Sequence, residues 1–311
     1  MGAAPNSNPA KVSDGLPSPP FIHVPGVVNL RDAGGYAIQG QPGKAVRRGI
    51  VFRSADLSRL EDEGITVLRE LGITHVFDLR SLPELAKANG QQPKTWEGAT
   101  RVFVPVFLDR DYSPEVLALR FRNYTEGREG FVKAYAAILE SAAEPDHPHL
   151  PFRTVFEHVA SFSTPPAPFL VHCSAGKDRT GVLVALLLAL CGVDDATIAH
   201  EYSLTELGLA PLREEIVQHL VAGPPLSGDR ERAERMVGAR KEYMLGTLEF
   251  IRERYGSVEK YVVDHIGLSP ESVERIRKNL IVDLAEGEEP LDCTWIETGL
   301  KDGEPRPEIP N

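Results

Sequence analysis

The sequence predicts an α/β protein, with a mostly parallel central sheet flanked by helices and a helical C-terminal half. Four short runs are almost continuously apolar and rich in β-branched and aromatic residues, as expected for strands covered on both faces of a parallel sheet. Helical periodicity separates these runs, and alternating strands and helices are typical of α/β folds. The predicted strands cover residues 49–54, 74–80, 100–106 and 168–173.

The predicted helices follow from the spacing of apolar residues. Between the first two predicted strands, Ile65, Leu68 and Leu71 recur at helical spacing. After Gly181 every pattern is helical. The helices predicted in this half lie near 182–191, 194–206, 211–221, 230–255, 257–266 and 270–284. The pattern over 230–255 indicates one amphipathic helix or two.

A single folded domain is predicted over residues 21–285. Residues 1–20 are rich in Pro, Ser and Asn without periodicity, which predicts a flexible N-terminal tail. Residues 286–311 are acidic and rich in Pro and Gly, which predicts a second tail. The connection 107–131 is long and carries aromatic residues, so we expect it to form a helical lid over a pocket.

Composition excludes several classes of function. The 311 residues contain 34 Lys and Arg against 45 Asp and Glu, a net charge of −11 that disfavours nucleic acid and anionic membranes as partners. The three cysteines, Cys173, Cys191 and Cys293, are too few and too scattered for a disulfide framework or a zinc site, and their number fits a reducing compartment. We expect no metal or cofactor. The longest apolar run, Val182–Cys191, is about half of the ~20 residues that span a bilayer, and the N-terminus lacks a secretion signal. These features predict a cytoplasmic protein without an integral membrane segment.

The stretch "PFLVHCSAGKDRTG" at 168–181 carries the clearest chemistry. Where a strand becomes a helix, loop amides and the first helical turn present unpaired N–H groups that bind anions. The small residues Ser174, Ala175 and Gly176 allow the backbone to curl into a ring of inward N–H groups. Arg179 adds a planar fork that can bind two phosphate oxygens at once. The loop therefore predicts a phosphate cradle.

Cys173 lies at the start of this cradle. Inward amides, a helix N-terminus and a guanidinium all favour a thiolate over a thiol, so we expect a nucleophilic cysteine. A nucleophile beside an oxyanion cradle is suited to attack on phosphorus through a cysteinyl-phosphate intermediate.

The loop resembles the signature of cysteine-dependent phosphatases, Cys-x5-Arg followed by Ser or Thr. The wording "HCSAGKDRTG" is similar to that of the atypical tyrosine and lipid phosphatases of mycobacteria and fungi. The resemblance extends over nearly all of residues 25–285. The matching segments are "NLRDAGGY" (29–36), "RRGIVFRSADLS" (47–58), "VFDLRSLPE" (76–84) and "YGSVEKYVVDHIGLS" (255–269).

The resemblance implies a role for each residue of the loop. Cys173 would be the nucleophile, and Arg179 would bind phosphate and stabilise the transition state. The backbone amides from Ser174 to Arg179 would line the cradle, Thr180 would hydrogen-bond the sulfur, and His172 would fix the loop. The implied substrates are phosphotyrosine proteins, with phosphoserine, phosphothreonine or phosphoinositides as further candidates.

The acid that protonates the leaving group has three candidates. No Trp-Pro-Asp sequence occurs, and the resemblance implies that Asp178 within the loop takes this role. Asp109 and Asp111 follow a predicted strand at a place where related enzymes keep their acid. Near a bound phosphate dianion any of these carboxyls could hold a proton. We favour Asp178.

Lys177 has two interpretations that the sequence leaves open. A second cation beside Arg179 suits a more highly charged ligand such as a phosphoinositide. Alternatively, Lys177 neutralises Asp178 or points to solvent.

A further prediction concerns two charged residues outside the loop. Asp78 and Arg80 end a strand, where we expect buried pairing with Arg53.

A catalytically silent phosphate-binding module and a sulfurtransferase are alternative functions. Cys173, Arg179 and Asp178 are all present, which argues against the first, and the Thr180–Gly181 continuation argues against the second.

Overall fold

A five-stranded sheet forms the centre of the protein. The computed structural model describes residues 16–87, 94–223, 226–291 and 293. Its strands are β1 (Arg31–Asp32), β2 (Lys44–Val46), β3 (Val51–Ser54), β4 (His75–Asp78), β5 (Thr100–Phe103), β6 (Phe169–His172) and β7 (Ile281–Asp283). The central sheet has the order β1-β3-β6-β4-β5. Strand β1 is antiparallel to β3 and the other neighbours are parallel, which confirms the predicted mostly parallel sheet.

Helices cover both faces of this sheet. Along the chain they are α1 (Asp62–Glu70), α2 (Leu82–Lys87), α3 (Pro114–Thr125), α4 (Arg128–Ala142), α5 (Pro151–Val159), α6 (Asp178–Leu190), α7 (Asp195–Ser203), α8 (Thr205–Gly208), α9 (Arg213–Ala222), α10 (Arg230–Val237), α11 (Lys241–Tyr255), α12 (Val258–Asp264) and α13 (Pro270–Leu280). Two 3-10 turns occupy Asp109–Tyr112 and Ala210–Leu212. The charged stretch 230–255 forms two helices, α10 and α11. No helix of the described residues is long and apolar enough to cross a membrane.

Side chains of the central strands enter two separate cores. In β6, Leu170 packs with Leu68 of α1 on one face, whereas Val171 joins the larger core around α6 on the other. This alternation is the period of two expected for a strand buried on both faces. Helix α6 is apolar nearly all round because it is surrounded by protein.

The sheet places the end of β6 at the middle of its carboxyl edge. His172 is in register with Ser54 of β3 on one side and with Asp78 of β4 on the other. Cys173 is the next residue, so the loop that begins there emerges between two neighbouring strands. Ligand sites of open α/β sheets lie at this edge.

The C-terminal half is not wholly helical as predicted. The helix expected over 270–284 ends at Leu280, and β7 then pairs antiparallel with β2 in a separate two-stranded sheet. This pairing joins segments more than two hundred residues apart, which local periodicity cannot reveal.

The predicted domain boundaries at 21 and 285 stay a prediction. Residues 1–15 and 294–311 lie outside the described residues. Within the described part, the Leu291 amide donates to the Gly35 carbonyl at 2.8 Å, and the Leu291 side chain packs against the core.

A buried ion cluster ties α7 to the first two strands of the central sheet. Arg31 and Arg53 are opposite each other on β1 and β3, and both are fully buried. The carboxylate of Glu201 accepts from Arg31 Nε at 2.8 Å and from Arg53 Nη1 at 2.5 Å. Burial alone would raise the pKa of Glu201, but the two guanidiniums outweigh it and lower the pKa.

The predicted pairing of Asp78 with Arg53 is therefore wrong. Asp78 accepts instead from Arg80 and Arg101, each at distances of 2.8 to 3.2 Å. Strand register explains the difference, because it sets Arg53 beside Arg31 and toward Glu201.

We expect Glu201→Gln to destabilise the fold strongly. The substitution leaves two buried guanidiniums without a carboxylate, and breaking a buried pair in this way costs about 3–5 kcal/mol. Urea unfolding of both proteins measures the difference.

The matched control is Glu215→Gln, which breaks an ion pair with Arg59 whose two side chains are 60% and 63% exposed. It should leave the unfolding midpoint almost unchanged. Equal midpoint shifts for the two variants would contradict a structural role for the buried cluster.

Candidate active site

Gly176 allows the loop after β6 to turn tightly. Its φ angle is +65°, a left-handed conformation that favours glycine. A Cβ atom at this position would lie 2.1 Å from the carbonyl oxygen of Ser54. The loop therefore packs directly against the end of β3, at a distance that no other residue type permits.

The carbonyl groups of residues 174–176 are held away from the centre of the loop. Three donors from elsewhere in the chain bind them: the Asp56 amide to Ser174 O (3.1 Å), Asn29 Nδ2 to Ala175 O (3.0 Å) and Arg53 Nη2 to Gly176 O (2.7 Å). In a trans peptide the C=O and the following N–H point in opposite directions. The amides of residues 175–177 therefore point to the inner side of the loop, as an anion nest requires.

Arg179 is held by a carboxylate to which the sequence prediction assigned no role. Its Nη1 and Nη2 donate to the two oxygens of Glu84, each at 2.6 Å. The same carboxylate accepts from Ser174 Oγ (2.6 Å), Ser81 N (3.0 Å), Ser81 Oγ (2.9 Å) and Tyr112 OH (2.8 Å). Within the described part of the chain nothing bonds to Nε of Arg179, so this edge of the guanidinium is open to a further acceptor.

The electrostatics of Glu84 follow from these contacts. Burial alone would raise its pKa, but Arg179 and the hydroxyl and amide donors lower the pKa well below its ordinary value. Glu84 therefore stays ionised. In the sequence, Ser81 and Glu84 match the Ser-x-x-Glu capping pattern at the start of α2, and this is the one local signal that marked the residue.

Cys173 and His172 are both buried at the end of β6, with 2% and 1% of their surfaces exposed. His172 Nδ1 lies 3.2 Å from the carbonyl of Cys173, and Nε2 lies 3.8 Å from a carboxylate oxygen of Asp78. Burial lowers the pKa of His172 despite the attraction of Asp78. A neutral, enclosed imidazole agrees with the expected structural role. The Thr180 hydroxyl is buried without a hydrogen-bond partner among the described residues, so the expected bond to the sulfur is not formed here.

Asp178 is the first residue of α6 and lies within the loop. Its Oδ1 accepts from the hydroxyl of Tyr135 at 2.8 Å. The two rivals are placed differently. Asp111 accepts from the Leu108 amide at 2.7 Å and so caps its own 3-10 turn, while Asp109 is exposed. Of the three candidates, Asp178 alone belongs to the phosphate loop.

Comparisons with known proteins agree with this geometry. A family model described as the tyrosine phosphatase family matches residues 22–282. The chain belongs to the tyrosine phosphatase family. It is similar to the triple specificity protein phosphatase PtpB of Mycobacterium tuberculosis, with 31% identity over 277 residues, covering 83% of this chain and 98% of that protein. It is also similar to a tyrosine-protein phosphatase of Nostoc commune, with 28% identity over 271 residues, covering 80% of this chain and 83% of that protein.

Lys177 of this tyrosine phosphatase does not point to solvent, so that part of the second interpretation is wrong. The side chain is buried, and its ammonium donates to the carbonyls of Met236 (2.6 Å) and Gly238 (3.1 Å) at the end of α10. It also lies 4.9 Å from the ring centroid of Phe131 and 3.5 Å from Asp178 Oδ1. Lys177 thus ties the phosphate loop to α10, and a contact with substrate stays a prediction.

The segment 107–131 lies along the site, as expected for a lid. It contains a 3-10 turn, α3 and the start of α4. Tyr112 reaches Glu84, and the ring of Tyr124 lies 5.7 Å from the ammonium of Lys177. Opening of this segment stays a prediction. Among the described residues, no group of three or more His, Cys, Asp and Glu side chains could hold a metal ion.

We expect Gly176→Ala to abolish binding of inorganic phosphate and to lower kcat/KM by about 100-fold or more, because the new Cβ displaces the loop from Ser54. Steady-state kinetics and calorimetric titration with phosphate measure the two effects.

Gly43→Ala is the matched control. Gly43 has a similar φ of +77° but no atom within 4 Å of an added Cβ, so the variant carries the backbone strain without the clash. Loss of phosphate binding in both variants would contradict the proposed cause.

We expect Glu84→Gln to lower kcat/KM by about 10- to 100-fold, because Arg179 loses the charge that orients it. Stability should also become less dependent on pH. The folded-state pKa of Glu84 lies below its ordinary 4.5, so the pairing stabilises the fold above about pH 4.5 and is lost as the pH falls below that value. Unfolding of both proteins across pH 3–7 tests this sign.

Glu157→Gln breaks an exposed pair with Arg153 and serves as the control. It should change neither activity nor the pH dependence of stability. A wild-type advantage over Glu84→Gln that grew on acidification would overturn the electrostatic account.

Proposed function

We propose that Cys173 is the nucleophile of this tyrosine phosphatase. Its sulfur attacks the phosphorus of a bound phosphate monoester, an S–P bond forms, and the P–O bond to the leaving group breaks. Water then attacks phosphorus, the S–P bond breaks, and inorganic phosphate leaves. The observation that carries the proposal is the set of three outward-held carbonyls at residues 174–176, since the amides that follow them point to the inner side of the loop that runs from Cys173 to Arg179.

Arg179 binds the phosphoryl group in this scheme. Glu84 binds its two terminal nitrogens and fixes the plane of the guanidinium, which leaves the Nε edge to bind a phosphoryl oxygen. Charge that develops on the phosphoryl oxygens meets donors that are already in place, which is the usual origin of a large catalytic effect. The amides of residues 175–177 and the helix N-terminus act in the same direction.

Asp178 is the proposed proton carrier. It gives its proton to the departing oxygen in the first step and takes one from the attacking water in the second. Its place in the loop and the engagement of Asp111 in a turn support this assignment.

The proposed substrate is protein phosphotyrosine. The name of the mycobacterial relative, a triple specificity phosphatase, supports additional activity on phosphoserine, phosphothreonine or phosphoinositides. We propose a cytoplasmic location, which the three free cysteines support, and a reaction that needs no metal ion or cofactor.

Phosphate release in the presence of a chelator tests the proposal. Wild type, Cys173→Ser and Cys191→Ser are compared on a phosphotyrosine peptide, a phosphoserine peptide and a panel of phosphoinositides. Cys191 is the matched control, because it is an equally buried thiol in the core whose pKa burial raises to about 12. We expect release by wild type and Cys191→Ser and none by Cys173→Ser, which should still bind inorganic phosphate.

Other outcomes would identify the alternatives. Phosphate binding without release by wild type would make the protein a binding module. Transfer of sulfur from thiosulfate to Cys173 would make it a sulfurtransferase.

A further inference from the structure

Two buried tyrosine hydroxyls lead from the protein interior to Asp178. The hydroxyl of Tyr135, on α4, lies 2.8 Å from Asp178 Oδ1 and 2.5 Å from the hydroxyl of Tyr202, on α7. Both tyrosines are fully buried. The three groups form a chain from two helices to the first turn of a third.

The carboxyl group of Asp178, at the end of this chain, determines which group donates in each hydrogen bond. Whether Asp178 is ionised or carries a proton on Oδ2, its Oδ1 can only accept, and a phenol has a single proton to donate. Tyr135 therefore donates to Asp178, and Tyr202 donates to Tyr135. Burial, and next the charge of Asp178, raise the pKa of Tyr135 well above its ordinary value, so this hydroxyl keeps its proton.

The chain makes the two oxygens of Asp178 unequal. Oδ1 accepts from Tyr135 and is also the oxygen that lies 3.5 Å from the ammonium of Lys177. No hydrogen bond to Oδ2 comes from the described residues. One oxygen is therefore held by the protein and the other is left for a reacting proton.

We propose that Tyr135 and Tyr202 are positioning residues that fix Oδ1 of Asp178, so that Oδ2 carries the proton to the leaving-group oxygen. The inference rests on the proposed function, in which Asp178 is the acid. As the Oδ2–H bond breaks and the leaving group takes the proton, charge grows on the carboxylate, and the bond from Tyr135 strengthens because hydrogen bonds to ionised groups are stronger. The bond therefore contributes more in the transition state than in the ground state.

Packing holds the two rings in this arrangement. The ring of Tyr135 makes edge-on contacts with Phe131 and Tyr202, with centroids 5.9 and 6.1 Å apart. Tyr202 lies against Gly181, where an added Cβ would be 3.0 Å from ring atom Cδ2. The glycine that ends the "DRTG" sequence thus lets the ring approach the first turn of α6.

The hydroxyls themselves indicate a role beyond packing. Phenylalanine would fill the same space without a polar atom that must be paired in the interior. These hydroxyls bond to each other and, through Tyr135, to Asp178, so their pairing is directed at the loop.

The leaving group distinguishes positioning of an acid from structural support. Phenyl phosphate has a poor leaving group that needs the proton, whereas p-nitrophenol departs with little protonation. We therefore compare kcat/KM on phenyl phosphate and p-nitrophenyl phosphate for wild type, Tyr135→Phe, Tyr202→Phe and Asp178→Asn. The ratio of the two values is independent of the fraction of folded enzyme, so a partly unfolded variant still gives a valid result.

We expect Tyr135→Phe to lose about tenfold on phenyl phosphate and less than about twofold on p-nitrophenyl phosphate. Tyr202→Phe should show a smaller loss of the same kind, and inhibition by inorganic phosphate should be unchanged in both. The matched control is Tyr261→Phe, which removes a buried hydroxyl bonded to the Leu139 carbonyl at 2.8 Å and should leave the ratio as in wild type.

Each other outcome counts against a defined claim. If Asp178→Asn discriminates between the substrates and Tyr135→Phe does not, the inference is wrong and the proposed function stands. Equal losses of kcat/KM on both substrates for Tyr135→Phe would mean that the tyrosines only support the structure. If Asp178→Asn itself loses kcat/KM equally on both substrates, Asp178 is not the acid, and the inference is wrong as well.

Discussion

The fully buried guanidinium of Arg53 connects the interior of the protein to its phosphate loop. A charge in this position is stable only when it is paired and hydrogen-bonded, and Glu201 supplies the pairing. Its Nη2 donates to the carbonyl of Gly176, and together with Asn29 and the Asp56 amide it turns the loop carbonyls outward. The direction of the loop amides, which we propose to bind phosphate, thus depends on the ion cluster of Arg31, Arg53 and Glu201.

Several titratable groups around the site are held in one protonation state by their surroundings. Asp78 and Glu84 stay ionised because each is paired with arginine, and His172 stays neutral because it is enclosed. These groups do not need to change protonation state during the reaction. A site arranged in this way supplies its field before the substrate arrives, which avoids the cost of reorganisation in the transition state.

Two sets of hydroxyl groups hold two different carboxylates at the loop, those of Glu84 and Asp178. Tyr112 and Ser81 bind the carboxylate of Glu84, which holds Arg179. Tyr135 binds the carboxylate of Asp178, and Tyr202 binds the hydroxyl of Tyr135. The segment that follows β5 contributes to the first set through Tyr112, and its helix α3 contacts the Lys177 side chain through Tyr124. Movement of this segment would therefore change the surroundings of Arg179, through Glu84, and of Lys177 in the loop together.

The sequence by itself determined the α/β class, the four parallel strands and the loop from Cys173 to Thr180, because periodicity and loop chemistry are local properties. The tertiary structure decided the partners of that loop, which come from far along the chain. Asn29, Arg53 and Glu84 reach it across 146, 123 and 95 positions, and Tyr135 reaches it across 43. The same reason explains the missed pairing of β2 with β7 and the wrong partner expected for Arg53. Strand register and helix packing choose among many plausible charged and polar groups, and only the folded chain brings the chosen ones within hydrogen-bond distance.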